Sequence, residues 1–285
     1  MEKKGRSQSG AIWFRFQKNK LALISLVILG AIVLAALFAN VLIDPELVTT
    51  TNSSLRLQTP SAEHWFGTDL YGRDVLARIV YGARVSLTVS VTAVFGALIV
   101  GGLLGAVAAY FGGHVENIIM RIMDIFMAIP SLVMAIAVVA ALGASTVNLV
   151  VALIVARAPQ FARVVRSAIL PIRDLEYVEA ATACGTSHRR IILRHILPNV
   201  LGPIIVQTTL QMGHCIIQIA GLSFVGLGIQ PPTPEWGSML SEAREYMRRY
   251  SFLVVPPGLA IMITVFCFNR IGDGLRDALD PKLKN

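Results

Sequence analysis

The sequence predicts an all-α integral membrane protein with six membrane-spanning helices, and three observations carry that expectation. Apolar types make up 55% of the 285 residues and charged types only 15%, against about 25% charged in soluble domains. Mean hydropathy is +0.66. Uncharged runs long enough to cross a bilayer recur along the chain, and the basic residues gather in alternate segments between them. Too few charges remain to cover a soluble globule of 30.8 kDa, and the apolar content is far too high for a disordered chain.

Leu21 to Ile43 is the first uncharged run. At 1.5 Å per residue it spans roughly 34 Å, enough for a hydrocarbon core of about 30 Å. Lys3, Lys4, Arg6, Arg15, Lys18 and Lys20 precede it, a basic flank that holds the N-terminus inside. It is too long for a signal-peptide apolar region and leads into Asn40 and Ile43 where a small-x-small cleavage site should follow, so an uncleaved span is expected. Ser86 to Tyr110, rich in Gly and Ala, is the second. Its Gly101 and Gly105, with Gly96 nearby, allow close packing against another helix of the chain or against a partner subunit.

Ile122 to Leu142 is the third run, apolar apart from Asp124. Arg121 stands three residues before Asp124 and can pair with it. An unpaired intramembrane acid would instead mark a gate or an ion path. Pro130 is placed to kink this span. Thr146 to Ala162, the fourth run, contains Arg157. Val200 to Leu227, the fifth, is interrupted by Gln207, Gln211, His214 and Gln218. The last three share one helix face, which suits a pore or another helix better than lipid, and they are the candidate translocation path. Leu253 to Phe268 is the sixth, with Pro256 and Pro257 at its entrance.

Six spans from an inside N-terminus put both termini in the cytoplasm. The inside segments then hold 16 Lys and Arg and the outside segments seven, as the positive-inside rule asks. The net charge of +8 therefore reads as a membrane-orienting excess and not as a nucleic-acid footprint. The expected layout is a cytoplasmic segment 1–20, a first span 21–43, an extracytoplasmic loop 44–84, a five-helix core 85–278 with an inside loop at about 163–199, and a tail 279–285. Trp236, Tyr246 and Tyr250 fall near the outer boundary, where they suit an aromatic belt or the docking of an extracytoplasmic partner. Cys184, Cys215 and Cys267 match neither a zinc site nor a CxxC pair and are expected as free thiols; no metal site is expected.

The inside loop is the most informative segment. Residues 174–198 read DLEYVEAATACGTSHRRIILRHILP. Asp174 is a candidate N-cap for a helix through Cys184, and Gly185 can take positive φ and end it. Ser187 is a candidate cap for a second short helix, His188 to Ile196, stopped before Pro198. Small Ala180, Ala181 and Ala183 would let another surface approach closely. On physical grounds alone the pair suits a helix lying at the lipid headgroups. The pattern Glu179-Ala180-Ala181, then Gly185, then Leu197-Pro198 resembles the EAA motif of ABC-importer permeases, E-A-A-x3-G-x9-I-x-L-P, with His195 where the motif prefers Ile. That resemblance implies a type I importer permease core whose coupling helix docks in a cleft of an ATP-binding subunit. Glu179 would there meet a basic group, and Gly185 would set the bend.

Further segments are similar to the dipeptide, oligopeptide and nickel permease group. They are Phe66-Gly67-Thr68-Asp69, Gly72-Arg73-Asp74-Val75-Leu76 and Tyr81-Gly82-Ala83-Arg84; Asp124 with Pro130; Leu222 to Gly228 followed by Pro231 to Gly237; and Gly272 to Asp277 with Leu279-Asp280-Pro281. The likeness covers about residues 64–285, the first span matching only as an N-terminal membrane helix. It implies a bacterial inner-membrane permease for di- or oligopeptides, or else for nickel or a nickel chelate. The implied partners are a homologous second permease, two ATP-binding subunits, an extracytoplasmic solute-binding protein and membrane lipid. The chain has no Gly-Lys-Ser/Thr, HExxH or GxSxG. No enzyme activity and no cofactor are expected of it, and ATP would be hydrolysed on other subunits. An ion-coupled carrier would need Asp124 as its acid and would leave the inside loop unexplained.

Overall fold

The computed structural model describes residues 8–279. Lys3, Lys4, Arg6 and the end of the tail, with Asp280 and Pro281, lie outside the described residues. Among the described residues there is no strand, only an isolated bridge between Thr68 and Asp74.

Helix α1 (Gln8–Lys18) is followed at once by α2 (Lys20–Leu37). Asn19 caps α2, its side-chain oxygen accepting from the Ala22 amide at 3.1 Å. Short helices α3 (Ala39–Leu42) and α4 (Glu46–Thr49) lead through an irregular segment to α5 (Val75–Phe111). Asp74 starts α5 by accepting from the Ala77 amide at 2.8 Å. The 37 residues of α5 extend about 55 Å, well beyond the uncharged run that begins at Ser86. The cap, not the end of the charged stretch, sets its beginning.

The third run is not one straight span. It forms α6 (Gly113–Ala128) and α7 (Ser131–Leu142), bent by 90° between them. Pro130 has no amide hydrogen and its ring excludes the helical position of the preceding residue. Ile129 accordingly leaves the helix at φ −95°, ψ 128°. Helix α8 (Thr146–Arg173), capped by Ser145, runs past Ala162 with Pro159 and Pro171 inside it. The cytoplasmic connection expected from residue 163 thus begins after Arg173. Helix α9 (Glu176–Ala183) follows. Then α10 (His188–Arg190) passes through a π turn (Ile191–Ile196) and a 3-10 turn (Leu197–Val200) into α11 (Leu201–Phe224). The second short helix is therefore not stopped at Pro198; the path from His188 to Phe224 stays helical. Pro198 sits early in the 3-10 turn, where the helical path changes from its π to its 3-10 segment. Helices α12 (Trp236–Ala243) and α13 (Val255–Leu279) complete the chain.

Five helices are long and apolar enough to cross a membrane, or six if α6 and α7 form one broken span. The closest pairing is α5 on α8. A Cβ on Gly101 would collide with the Ala158 carbonyl oxygen, and one on Gly105 with that of Ala162. The two glycines therefore serve packing within this chain. Ala93, Val94, Ala97, Leu149, Leu153 and Phe161 fill the interior around that contact. Large apolar side chains on α2, α5 and α13, such as Leu34, Ile99, Leu103 and Met262, remain exposed. Such a band suits hydrocarbon and not water.

Candidate functional site

Between α8 and α11, α9 is held by one buried side chain, Val178, which packs in a cluster with Ile169, Ile191, Ile196 and Val200. Glu179 and Ala180 face outward, and Ala181 is half-buried against the same cluster. Leu175, not Asp174, occupies the N-cap, without a side-chain bond. Asp174 closes α8 instead and accepts from Arg173 Nε at 3.1 Å. Glu176 and Glu179 in the first turn complement the helix dipole. The C-terminus closes with the Thr186 amide on the Ala181 carbonyl (3.1 Å) and the Gly185 amide on that of Thr182 (3.0 Å), the double bond of a Schellman turn. Gly185 takes φ +72° with no atom near its missing side chain, so the turn needs glycine for its backbone and not for space.

The second arm is tied down differently from the expectation. Ser187 makes no side-chain cap. His188 Nδ1 meets the Tyr110 hydroxyl at 2.7 Å and its ring lies edge-on to Tyr110 and Phe111, joining the arm to the end of α5. His195 acts through its backbone: its carbonyl accepts from Asn199 Nδ2 at 2.7 Å and from the Tyr177 hydroxyl at 3.4 Å. Leu197 is half-buried and Pro198 exposed. Between α9 and the end of α5 lies an open recess of about 660 Å³, bordered by Tyr110, Phe111, Arg173, Glu179 and Thr182.

Within the spans, Gln211 and Gln218 do share a face, and what they face is Arg157. The guanidinium donates through Nη1 to Gln211 Oε1 and through Nη2 to Gln218 Oε1, the latter at 2.6 Å. Gln211 passes the chain on to Gln160 Oε1, and Gln218 donates to the Ser131 carbonyl at 2.9 Å, at the head of α7. Arg157, Gln211 and Gln218 are all buried. His214 is exposed and borders the same half-open cleft of about 370 Å³. Arg157 was visible in the sequence only as a charge inside an apolar run; its pairing with residues over fifty positions away has no local signal.

Arg121 and Asp124 do not pair with each other. Asp124 accepts from Arg163 Nη2 of α8 at 2.7 Å, both side chains being about half exposed, and Arg121 is exposed. The bend at Pro130 turns α6 away from α7, so its acids meet α8. Glu116 likewise accepts from Arg166 Nε at 2.6 Å.

A second buried cluster lies at the start of α5, where sequence reading saw only motif glycines and charges. Arg73 Nε donates to Asp69 Oδ2 (2.7 Å) and its Nη2 to Glu242 Oε2 (2.8 Å). Arg78 Nη1 reaches the same two oxygens at 2.6 and 2.7 Å. Trp236 is no belt residue: it is 1% exposed and donates through its indole to the Ile79 carbonyl at 3.0 Å. Glu235 caps α12 through the Gly237 and Ser238 amides. Among the described residues, no three His, Cys, Asp or Glu side chains form a metal-binding group, and Cys184, Cys215 and Cys267 are free.

Residues 101–285 match the family described as binding-protein-dependent transport system inner membrane component. Residues 7–60 match the N-terminal TM domain of oligopeptide transport permease C, so the first span carries a family signature that sequence reading had treated as generic. The dipeptide transport system permease protein DppC of Alkalihalophilus pseudofirmus is 51% identical over 271 residues, covering 95% of this chain and 89% of the relative. The glutathione transport system permease protein GsiD of Pectobacterium atrosepticum is 40% identical over 284 residues, covering all of this chain and 94% of the relative. An inward-facing structure of the MetNI methionine ABC transporter aligns with a TM-score of 0.60 at 20% identity, over 72% of this chain and 98% of that one.

Proposed function

The chain belongs to the binding-protein-dependent transport system inner membrane component family, with the fold of a type I importer permease, and from that premise we propose that it is a membrane subunit through which an ATP-driven importer moves di- and oligopeptides. Relatives named for dipeptide and glutathione transport support the substrate class. One observation carries the mechanism. The exposed turn from Glu179 to Gly185 adjoins an arm that stays helical from His188 to Phe224, and that same helix holds Gln211, His214 and Gln218 on the polar cleft. A push on this turn can reach the cleft along the helical path that begins at His188, through its π and 3-10 turns.

In this reading two ATP-binding subunits sit on the inner face, and one takes α9 through Glu179, Ala180 and Ala181 beside the recess under Tyr110 and Phe111. Gly185 sets the bend, while Leu197 and Pro198 join the arm to α11. A homologous permease completes the path, and a solute-binding protein delivers substrate outside. ATP closure then biases two arrangements of the spans, which is alternating access. Both termini lie in the cytoplasm. Asp124, the acid an ion-coupled carrier would use, is held by Arg163.

Replacing Gly185 with Val tests the coupling role. A β-branched residue at φ +72° strains the turn by about 1–2 kcal/mol or more. Reconstituted vesicles are expected to lose ATP-driven peptide uptake at least tenfold while the spans insert and the complex assembles. Normal uptake by an assembled complex sinks the docking role. A Ser187→Cys variant labelled from the outside would overturn the orientation.

A further inference from the structure

Arg157 is the one basic side chain buried deep in a span whose partners, among the described residues, are all uncharged. It stands about 17 Å from the start of α8. Its hydrogen-bond partners are two glutamine carbonyls, and the Cys215 thiol lies beside it. The other arginines of α8, Arg163, Arg166 and Arg173, have Asp124, Glu116 and Asp174. The Nε of Arg157 is buried and finds no hydrogen-bond partner. A cation inside the membrane costs most when no anion accompanies it, and such a residue ordinarily marks a path or a ligand.

We propose that Arg157, framed by Gln211 and Gln218, is a carboxylate-binding subsite in the translocation path, holding the C-terminal carboxylate of a peptide in passage. The proposal rests on the peptide-import reading and names the chemistry of its path. Gln211 Oε1 and Gln218 Oε1 now occupy Nη1 and Nη2. Those are the two positions at which a guanidinium grips a carboxylate in bidentate fashion. An entering carboxylate takes these places. The glutamine amides, once released, can turn their NH2 groups toward it, so two neutral donors join the cation. The cleft of about 370 Å³ opens onto this group and is bordered by the exposed His214, a size within the range of small-molecule sites. Every peptide with a free C-terminus carries the required anion, whatever its side chains, so the subsite would recognise the class and leave sequence to the binding protein.

The complex of this chain with its partner permease and ATP-binding subunits, in nanodiscs and without binding protein, is titrated with alanyl-alanine and with alanyl-alanine amide. Binding is read by saturation-transfer NMR. The amide is expected to bind at least tenfold more weakly than the acid. Arg157→Gln should weaken acid binding at least tenfold and abolish the difference, and Arg157→Lys should keep most of it. Equal binding of acid and amide to the unaltered complex overturns the subsite, and that arm needs no variant to fold. Unchanged acid binding in Arg157→Gln overturns it too. So does rescue of Arg157→Gln by neutralising a carboxylate of the partner permease, which would place the counter-charge there. ATP-driven uptake of alanyl-alanine is measured in parallel. Arg157-dependent binding without uptake removes the peptide-import reading and keeps the subsite; uptake with binding indifferent to Arg157 does the reverse.

Discussion

Two buried polar networks hold arginines in this molecule, and they are built on opposite principles. At the start of α5, Arg73 and Arg78 are matched by Asp69 and Glu242, two cations against two anions. In the middle of α8, Arg157 faces only glutamines and a thiol. The balanced set ties the loop after α4 to α5 and to α12, segments far apart in sequence, and its charges cancel even though Arg78 Nε, Arg78 Nη2 and Glu242 Oε1 find no hydrogen-bond partner. The unbalanced set leaves electrostatic energy unspent at the cleft. Charge bookkeeping thus separates a clamp from a site where burial alone would not, since both groups of side chains are buried.

The largest effect is expected from breaking the clamp. Arg78→Met would leave Asp69 and Glu242 close together with only Arg73 between them. Removing one partner of a buried ionic set costs about 3–5 kcal/mol. The purified complex is expected to melt far lower and uptake to fall for every substrate alike. A melting temperature close to that of the unaltered complex would mean that the Arg73–Arg78 network is not the clamp its charge balance implies.

Neither network could be read from the sequence, and the reason is distance along the chain. Arg78 and Glu242 are 164 positions apart and Arg157 and Gln211 are 54 apart, with no periodicity linking them. The features that were legible are local. The uncharged runs announce the long helices, and Gly185 announces its left-handed turn because few other residues tolerate one. Pro130 announced a kink, but a right-angle break also depends on how α6 lies against α8, which Pro130 does not encode. The same blindness paired Asp124 with Arg121, its sequence neighbour, instead of Arg163. Trp236 looked like an interface aromatic because its loop is outside the apolar runs; the groove at Gly82 that receives it is invisible one-dimensionally.

A middle-sized effect should come from the contact that joins the two networks. Helix α5 carries Arg78 and packs on α8, which carries Arg157, through Gly101 against Ala158. Gly101→Leu overfills this contact, with an expected destabilisation of about 1–3 kcal/mol. Because Ala158 adjoins Arg157, acid binding at the cleft should weaken as well, while the Arg73–Arg78 clamp keeps its ion pairs. Loss of stability with the cleft unaffected would separate the packing of α8 from the shape of the site.

The smallest effect on stability is expected where the functional effect is large. Arg157→Gln removes a buried charge that has no counter-ion, so it relieves desolvation while giving up two hydrogen bonds to glutamine carbonyls. The two changes oppose, and the melting temperature of the assembled complex should stay level or rise, in contrast to the steep fall for Arg78→Met. A stabilised but transport-deficient variant is the usual mark of a site that holds strain for function. If Arg157→Gln instead melts as low as Arg78→Met, both networks are structural clamps, and the distinction drawn from their charge balance fails.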